Sequence, residues 1–122
     1  MKMGETWVTA KVYGTRGNES VRMLVDTGAT LSMIPESVAK RLGIEMEEVA
    51  EVELADGSKR RLGRGNAMIE YEGRRVAAPV LIATGGEVPL FGLTTLEAFG
   101  LKVNTVTNKL EQGRYIAYAS LV

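Results

Sequence analysis

The segment Met23-Leu24-Val25-Asp26-Thr27-Gly28-Ala29-Thr30-Leu31-Ser32 holds the residues of this chain best suited to chemistry. An apolar run delivers a carboxylate to the end of a strand, and a small, glycine-containing turn follows. Glycine lets backbone approach closely, and its amide can hydrogen-bond a carboxylate. An acid at the end of a buried strand is costly unless a site uses it. The chain has 122 residues with no histidine and no cysteine, which narrows the chemistry further. A Ser-His-Asp triad, a Cys-His pair and His-ligated zinc are all excluded. So are disulfides, thiolate nucleophiles and iron–sulfur clusters. Acid–base work near neutral pH must then rest on Asp, Glu, Lys or Tyr. At average usage Asp-Thr-Gly arises by chance in roughly one chain in forty of this length. On the tripeptide alone, a turn in which Asp26 and Thr27 satisfy backbone donors stands level with a reactive loop.

Several short elements must position that segment. Trp7 to Tyr13 alternates apolar and polar residues and predicts a half-buried strand, and Val21 to Val25 predicts a second. Gly14 to Asn18 supplies the turn of a hairpin between them. Pro35 to Gly43 reads as a short helix, with proline in the first turn, Lys40 and Arg41 at the negative end and Gly43 as the left-handed cap. Val49 to Leu54 alternates again, Asp56-Gly57 is a hairpin-turn signal, and Arg61 to Tyr71 gives a weaker return strand. Glu72-Gly73 marks another turn. Val76 to Ala83 is apolar on both faces and predicts a central strand. Thr94-Thr95-Leu96-Glu97 matches a capping box with Thr94 as N-cap. Leu101 to Val106 and Tyr115 to Ala119 are further strand candidates. The expectation is one all-β domain over residues 1–122, a barrel or sandwich with one or two short helices.

Composition bounds the partners. Fifteen Lys and Arg balance 15 Asp and Glu, which argues against a nucleic-acid binder. No apolar stretch is long enough to span a bilayer, and the first residues lack the apolar core of a signal peptide. The expectation is a soluble, cytoplasmic protein without metal or cofactor. The basic clusters Lys59-Arg60-Arg61, Arg64 and Arg74-Arg75 read as a solvated hairpin face, with attraction to acidic partners as the alternative. Gly63-Arg64-Gly65-Asn66-Ala67-Met68 begins like a dinucleotide loop but lacks the last glycine and the strand–helix setting.

A second motif gives the first its meaning. Val88-Pro89-Leu90-Phe91-Gly92-Leu93 is an apolar strand ending in glycine, just before the second helix. Leu24-Val25-Asp26-Thr27-Gly28-Ala29, followed by Leu90-Phe91-Gly92, resembles the retropepsin-like aspartic proteases, the single-domain relatives of pepsin, over roughly Trp7 to Asn104. The resemblance implies a closed β-barrel of the acid-protease type, working as a homodimer on polypeptide. It implies Asp26 as the catalytic acid, Thr27 as a contact to the partner subunit, Gly28 beneath the bound peptide and Ala29 in the first substrate pocket. The hairpin around Ala55, Asp56, Gly57 and Ser58 takes the place of the flap, with Asp56 also suited to forming the turn itself. One carboxylate cannot both activate water and protonate a carbonyl oxygen, whereas two close together share one proton. With a single Asp-Thr-Gly per chain, the second acid must come from a second copy.

Three departures from the viral enzymes stand out. Thr30 and Leu93 occupy the positions of an acid–arginine pair. The flap tip is polar rather than glycine-rich. Beyond Asn104, residues 105–122 form an extension, expected to add a hairpin from Thr105–Leu110 and Arg114–Ser120 to the interface. Tyr115 and Tyr118 suit such an interface. The rival readings are a non-catalytic dimer that binds peptides or assembles through the same cleft, and a structural oligomer in which Asp-Thr-Gly is only a turn.

Overall fold

A computed structural model describes residues 4–113. The elements are β1 Trp7–Gly14, β2 Gly17–Asp26, β3 Ser32–Pro35, α1 Glu36–Leu42, β4 Glu48–Glu53, β5 Lys59–Tyr71, β6 Arg74–Ala83, β7 Leu90–Gly92, α2 Leu93–Phe99, β8 Leu101–Asn104 and β9 Lys109–Gln112. The strands of the main sheet run in the order β1-β2-β7-β3-β6-β5-β4, and β1 also pairs with β5. That last pairing, Lys11↔Glu70 to Tyr13↔Met68, closes six strands into a barrel and leaves β4 outside it, hydrogen-bonded to β5 alone. Closure abolishes the sheet edges everywhere except at β4. The expected all-β barrel with two short helices is therefore present.

Alternation explains most of the strands. Ala10 and Val12 in β1, Val21 and Met23 in β2, and Ala67 and Ile69 in β5 point into one core, which also takes Ile34, Val80, Ile82 and Phe91. The return strand β5 is not weak: it spans 13 residues, the longest element described. Its glycines, which lower strand propensity, are there because other chain segments lie on them. A Cβ at Gly63 would meet the Met46 side chain, and one at Gly65 would stand 2.3 Å from the Glu45 carbonyl oxygen. The sequence Gly63–Met68 is thus strand and not a phosphate loop. β6 lies between β3 and β5, as a central strand should, but only its last four residues, Val80 to Ala83, are buried throughout; Arg74 to Ala77 remain largely open.

Both helices end on a left-handed glycine, Gly43 at φ 71° and Gly100 at φ 69°. Their N-termini differ from expectation at α2. The N-cap is Gly92, not Thr94, and no side chain caps the helix. The amides of Leu93 and Thr94 donate instead to the carbonyls of Ala29 and Thr30, at 2.8 and 3.0 Å. Backbone from a distant loop does the work of a capping box, so the helix begins earlier. Under α2 the rings of Tyr71, Phe91 and Phe99 meet with centroids 6.0–6.3 Å apart. After Gly100, β8 and β9 form a separate two-stranded sheet from Leu101↔Gln112 to Asn104↔Lys109. The first arm expected over Thr105–Leu110 is not a continuous strand, and a different hairpin occupies residues 101–112. It takes its first strand from residues before 105, and residues 105–108 form its turn. Arg114–Ser120 lies outside the described residues.

Candidate active site

The acid sits where two distant strands meet. β2 and β7 pair in parallel, with Leu24↔Leu90, Val25↔Phe91 and Asp26↔Gly92 in register. The two motifs are thus neighbours in space, 66 residues apart in sequence. The start of this junction is tied down: the Leu24 amide donates to Pro89 O and the Val25 amide to Thr6 O, both at 2.9 Å. Asp26 is half-buried at the strand end and Thr27 and Gly28 are exposed. The Gly28 amide donates to Asp26 Oδ1 at 2.9 Å. The Ala29 amide donates to the Asp26 carbonyl at 3.2 Å, which turns the chain. The acid therefore has one oxygen held by backbone, and the residue stays partly exposed. A backbone donor of this kind orients a carboxylate without neutralising it.

Beneath the loop lies a layer that residue types alone did not reveal. Ser32 Oγ and Thr95 Oγ1 are 2.7 Å apart, both fully buried, and the Gly92 amide donates to Ser32 Oγ at 3.0 Å. These bonds join β3, β7 and α2 directly below the Asp26–Thr30 turn. Two hydroxyl residues inside the apolar runs Leu31–Ile34 and Leu93–Leu96 were the only sequence signal. Gly92 is forced by the same packing, because a Cβ there would lie 2.5 Å from the carbonyl carbon and oxygen of Leu31.

Two surfaces flank the loop. On one side a hollow of about 480 Å³ is lined by Thr6, Val25, Asp26, Thr27, Leu93 and Leu96, together with Leu101 to Val103. Leu93, where the viral arginine would stand, is exposed at its edge. On the other side a second apolar cluster joins Met33, Leu62, Leu81 and Ala83 to the half-buried Leu31, Ala50, Val52 and Leu90. Ala50, Val52 and Leu62 belong to the β4–β5 hairpin, so the inner face of the proposed flap packs beside the Asp26 loop. A larger hollow of about 540 Å³, lined by Tyr13, Gly14, Ile44 and Met68, lies toward the opposite end of the β1–β2 hairpin and takes no residue from the loop.

Of the residues singled out from sequence, Asp26, Thr27, Gly28 and Ala29 form one continuous loop on β7 and α2. Ala55, Asp56, Gly57 and Ser58 occupy the exposed tip of the hairpin. The tip's described hydrogen bonds are internal. Ser58 donates to Asp56 Oδ1 from both its amide and its hydroxyl, and Leu54 N donates to Ser58 O. These bonds, the hydroxyl first, hold the Asp56 carboxyl below its ordinary range. Asp56 is a turn-former in this arrangement. Half of the basic-cluster residues form ion pairs with acids: Arg60 with Glu87, Arg64 with Glu48, and Arg75 with Glu70. Among the described residues no group of acidic side chains gathers as a metal site, and no helix is long and apolar enough to cross a membrane.

Comparison with known proteins follows the same lines. A family model described as "gag-polyprotein putative aspartyl protease" matches residues 12–98. The chain belongs to this family of retropepsin-like aspartic proteases. No curated protein sequence matches it. Among solved structures, EIAV protease in complex with the inhibitor HBY-793 superposes with a TM-score of 0.63 at 18% identity, covering 82% of this chain and 92% of that one. A retropepsin-like aspartic protease from Rickettsia conorii gives 0.59 at 17% identity, over 85% and 78%. The retroviral protease-like domain of Ddi1 from Leishmania major gives 0.57 at 19% identity, over 90% of each. At these identities the structural likeness establishes the fold.

Proposed function

We propose that the chain is an aspartic endopeptidase whose active unit is a homodimer, with Asp26 of each copy in one catalytic pair. The observation that carries this reading is the seat of Asp26. A half-exposed carboxylate with one oxygen bonded to Gly28 stands on a glycine strand and a buried Ser32–Thr95 bridge, at the edge of an apolar cleft. A simple turn needs no such foundation. Each chain supplies one acid of this kind, and the two-proton choreography of peptide hydrolysis needs two. The exposed Thr27 and Leu93, beside the hollow next to Asp26, give the partner a surface to meet. With Leu93 and Thr30 in place of a charged pair, that contact is apolar and hydroxylic rather than ionic.

In the assembled site the ionised carboxylate takes a proton from water, and the water oxygen attacks the scissile carbonyl carbon. The protonated carboxyl gives its proton to the carbonyl oxygen, so the tetrahedral diol forms without a covalent enzyme intermediate. Collapse returns a proton to the leaving nitrogen. The two acids titrate as a unit, and activity is highest at mildly acidic pH, where the pair holds one proton. Substrate lies extended between barrel and flap, paired through its backbone. Ala29 and the tip residues Ala55, Asp56, Gly57 and Ser58 border that path.

The test is cleavage of oxidised insulin B chain across a series of pH values, with and without a transition-state peptide mimic. Wild-type protein is expected to cleave and to be blocked by the mimic. Asp26→Asn is expected to lose at least a thousandfold in rate, on the order of removing one electrostatic catalytic group, while its circular dichroism stays unchanged. Binding without cleavage would select the peptide-binding dimer instead, and neither would leave the structural oligomer.

A further inference from the structure

We propose that Arg60 and Glu87 latch the flap hairpin onto the loop that leads into β7, and so act as positioning residues for the site. The catalytic consequence rests on the endopeptidase reading; the latch itself is a property of the resting chain. Arg60 lies on β5 two residues from the tip, opposite Val52. Strand alternation puts it on the same face as Ala50, Val52 and Leu62, the face that packs on the barrel. Its guanidinium forks. Nη1 donates to Glu87 Oε1, and Nη2 donates to Thr84 Oγ1 at 3.2 Å. The other Glu87 oxygen accepts the Gly85 amide at 2.9 Å. One carboxylate thus folds the 84–87 loop and holds the flap to it.

Gly85 is part of the device. A Cβ there would stand 2.4 Å from Arg60 Nη1 and 3.0 Å from Glu87 Oε1, so the guanidinium rests where any side chain would be. The pair is shielded as well as bonded, with only 15% of the Glu87 side chain and 34% of the Arg60 side chain exposed. A shielded, forked guanidinium–carboxylate contact is stronger and more directional than an open surface pair. The path onward is short. Two residues past Glu87, Pro89 O accepts the Leu24 amide, and Leu90 to Gly92 then run alongside Leu24 to Asp26. The tip's described hydrogen bonds are its own, so the hairpin's position against the barrel depends on this latch and on its apolar packing beside Leu31 and Leu90.

Amide hydrogen exchange tests the latch in full-length protein carrying Asp26→Asn, which keeps autolysis out of the measurement. Glu87→Ala and Gly85→Ala break the latch from opposite sides, and either serves if the other fails to fold. The expected result is roughly fivefold faster exchange at the Leu54 and Gly57 amides, with the barrel strands unchanged. Unchanged exchange at the tip, or equal acceleration through the whole barrel, overturns the proposal. In protein with Asp26 intact, breaking the latch is expected to raise KM for insulin B chain several-fold with little change in kcat. Arg60→Lys, which reaches Glu87 but cannot also fork to Thr84, is expected to fall between. A fall in kcat with KM unchanged overturns the positioning role. If the exchange responds while wild-type protein cleaves nothing, the endopeptidase reading fails and the latch stands.

Discussion

Gly92 has no room for a methyl group, since the Leu31 carbonyl and the Ser32 amide nitrogen lie within 2.8 Å of where its Cβ would be. Gly92→Ala is therefore expected to push the Asp26–Thr30 loop off its base, at a cost of about 1–3 kcal/mol of the kind that overpacking brings. Urea unfolding would measure the loss, and under the proposed function peptide cleavage should fall by far more than stability. The same site shows which residues sequence can and cannot reveal. The seat of Asp26 was legible because an apolar run into an acid and a glycine turn predicts a strand that ends in a tight loop. Ser32 and Thr95 were not, because their bridge spans 63 positions and neither hydroxyl belongs to a local pattern. Thr94 and Glu97 matched a local pattern well and were misread. The orphan amides of α2 found carbonyl partners in the Asp26–Thr30 loop, a tertiary solution that no capping rule contains.

Charge organises the β4–β5 hairpin. Its register sets Glu48 opposite Arg64, Glu51 opposite Arg61 and Glu53 opposite Lys59, so one strand carries the acids and the other the bases. Opposite charges across an antiparallel pair stabilise it, and exposed acids along β4 keep its free edge from pairing with other chains. Read along the chain, the bases were a solvated cluster. Their purpose emerged only with register, which the sequence does not state. At the seam between β1 and β5, Glu70 accepts from Arg75 Nε at 2.8 Å and from Tyr13 Oη at 3.1 Å, while Arg75 covers the Tyr13 ring at 4.1 Å. Chiefly through Arg75, this holds the Glu70 carboxyl below its ordinary range. A depressed carboxyl stabilises the fold above the unfolded value, and that contribution is lost as pH falls through the folded one. Glu70→Gln should thus lower Tm most at neutral pH, with the gap to wild type closing in strong acid. A constant gap across the acid range would show that the seam does not depend on this charge. At the mildly acidic pH expected for activity, the seam remains intact.

Across the whole molecule, the proposed function assigns one barrel half a site. The all-β class, the hairpins and both glycine helix stops were legible, because alternation and turn chemistry are local. The closed barrel followed from the family resemblance, but that β1 and β5 close it, and that β8 pairs with β9, were not legible, because nothing local selects among strands of similar character. The core is sensitive where it supports the acid. Phe91 is fully buried between Tyr71 and Phe99, and Phe91→Ala is expected to cost about 3–5 kcal/mol. If two copies share one catalytic pair, specific activity should fall on dilution below the dimer's dissociation constant, in step with the sedimentation coefficient. Constant specific activity in a sedimenting monomer would remove the shared pair.

The parallel pairing of β2 with β7 has a consequence for synthesis. A nascent chain released only as far as its eightieth residue already displays Asp26 but has neither Gly92 to pair with nor α2 to receive the turn. Contacts so distant in sequence are made late. The acid is thus translated well before its seat, and Asp26 stays unsupported on a nascent chain until Gly92 and α2 have followed it.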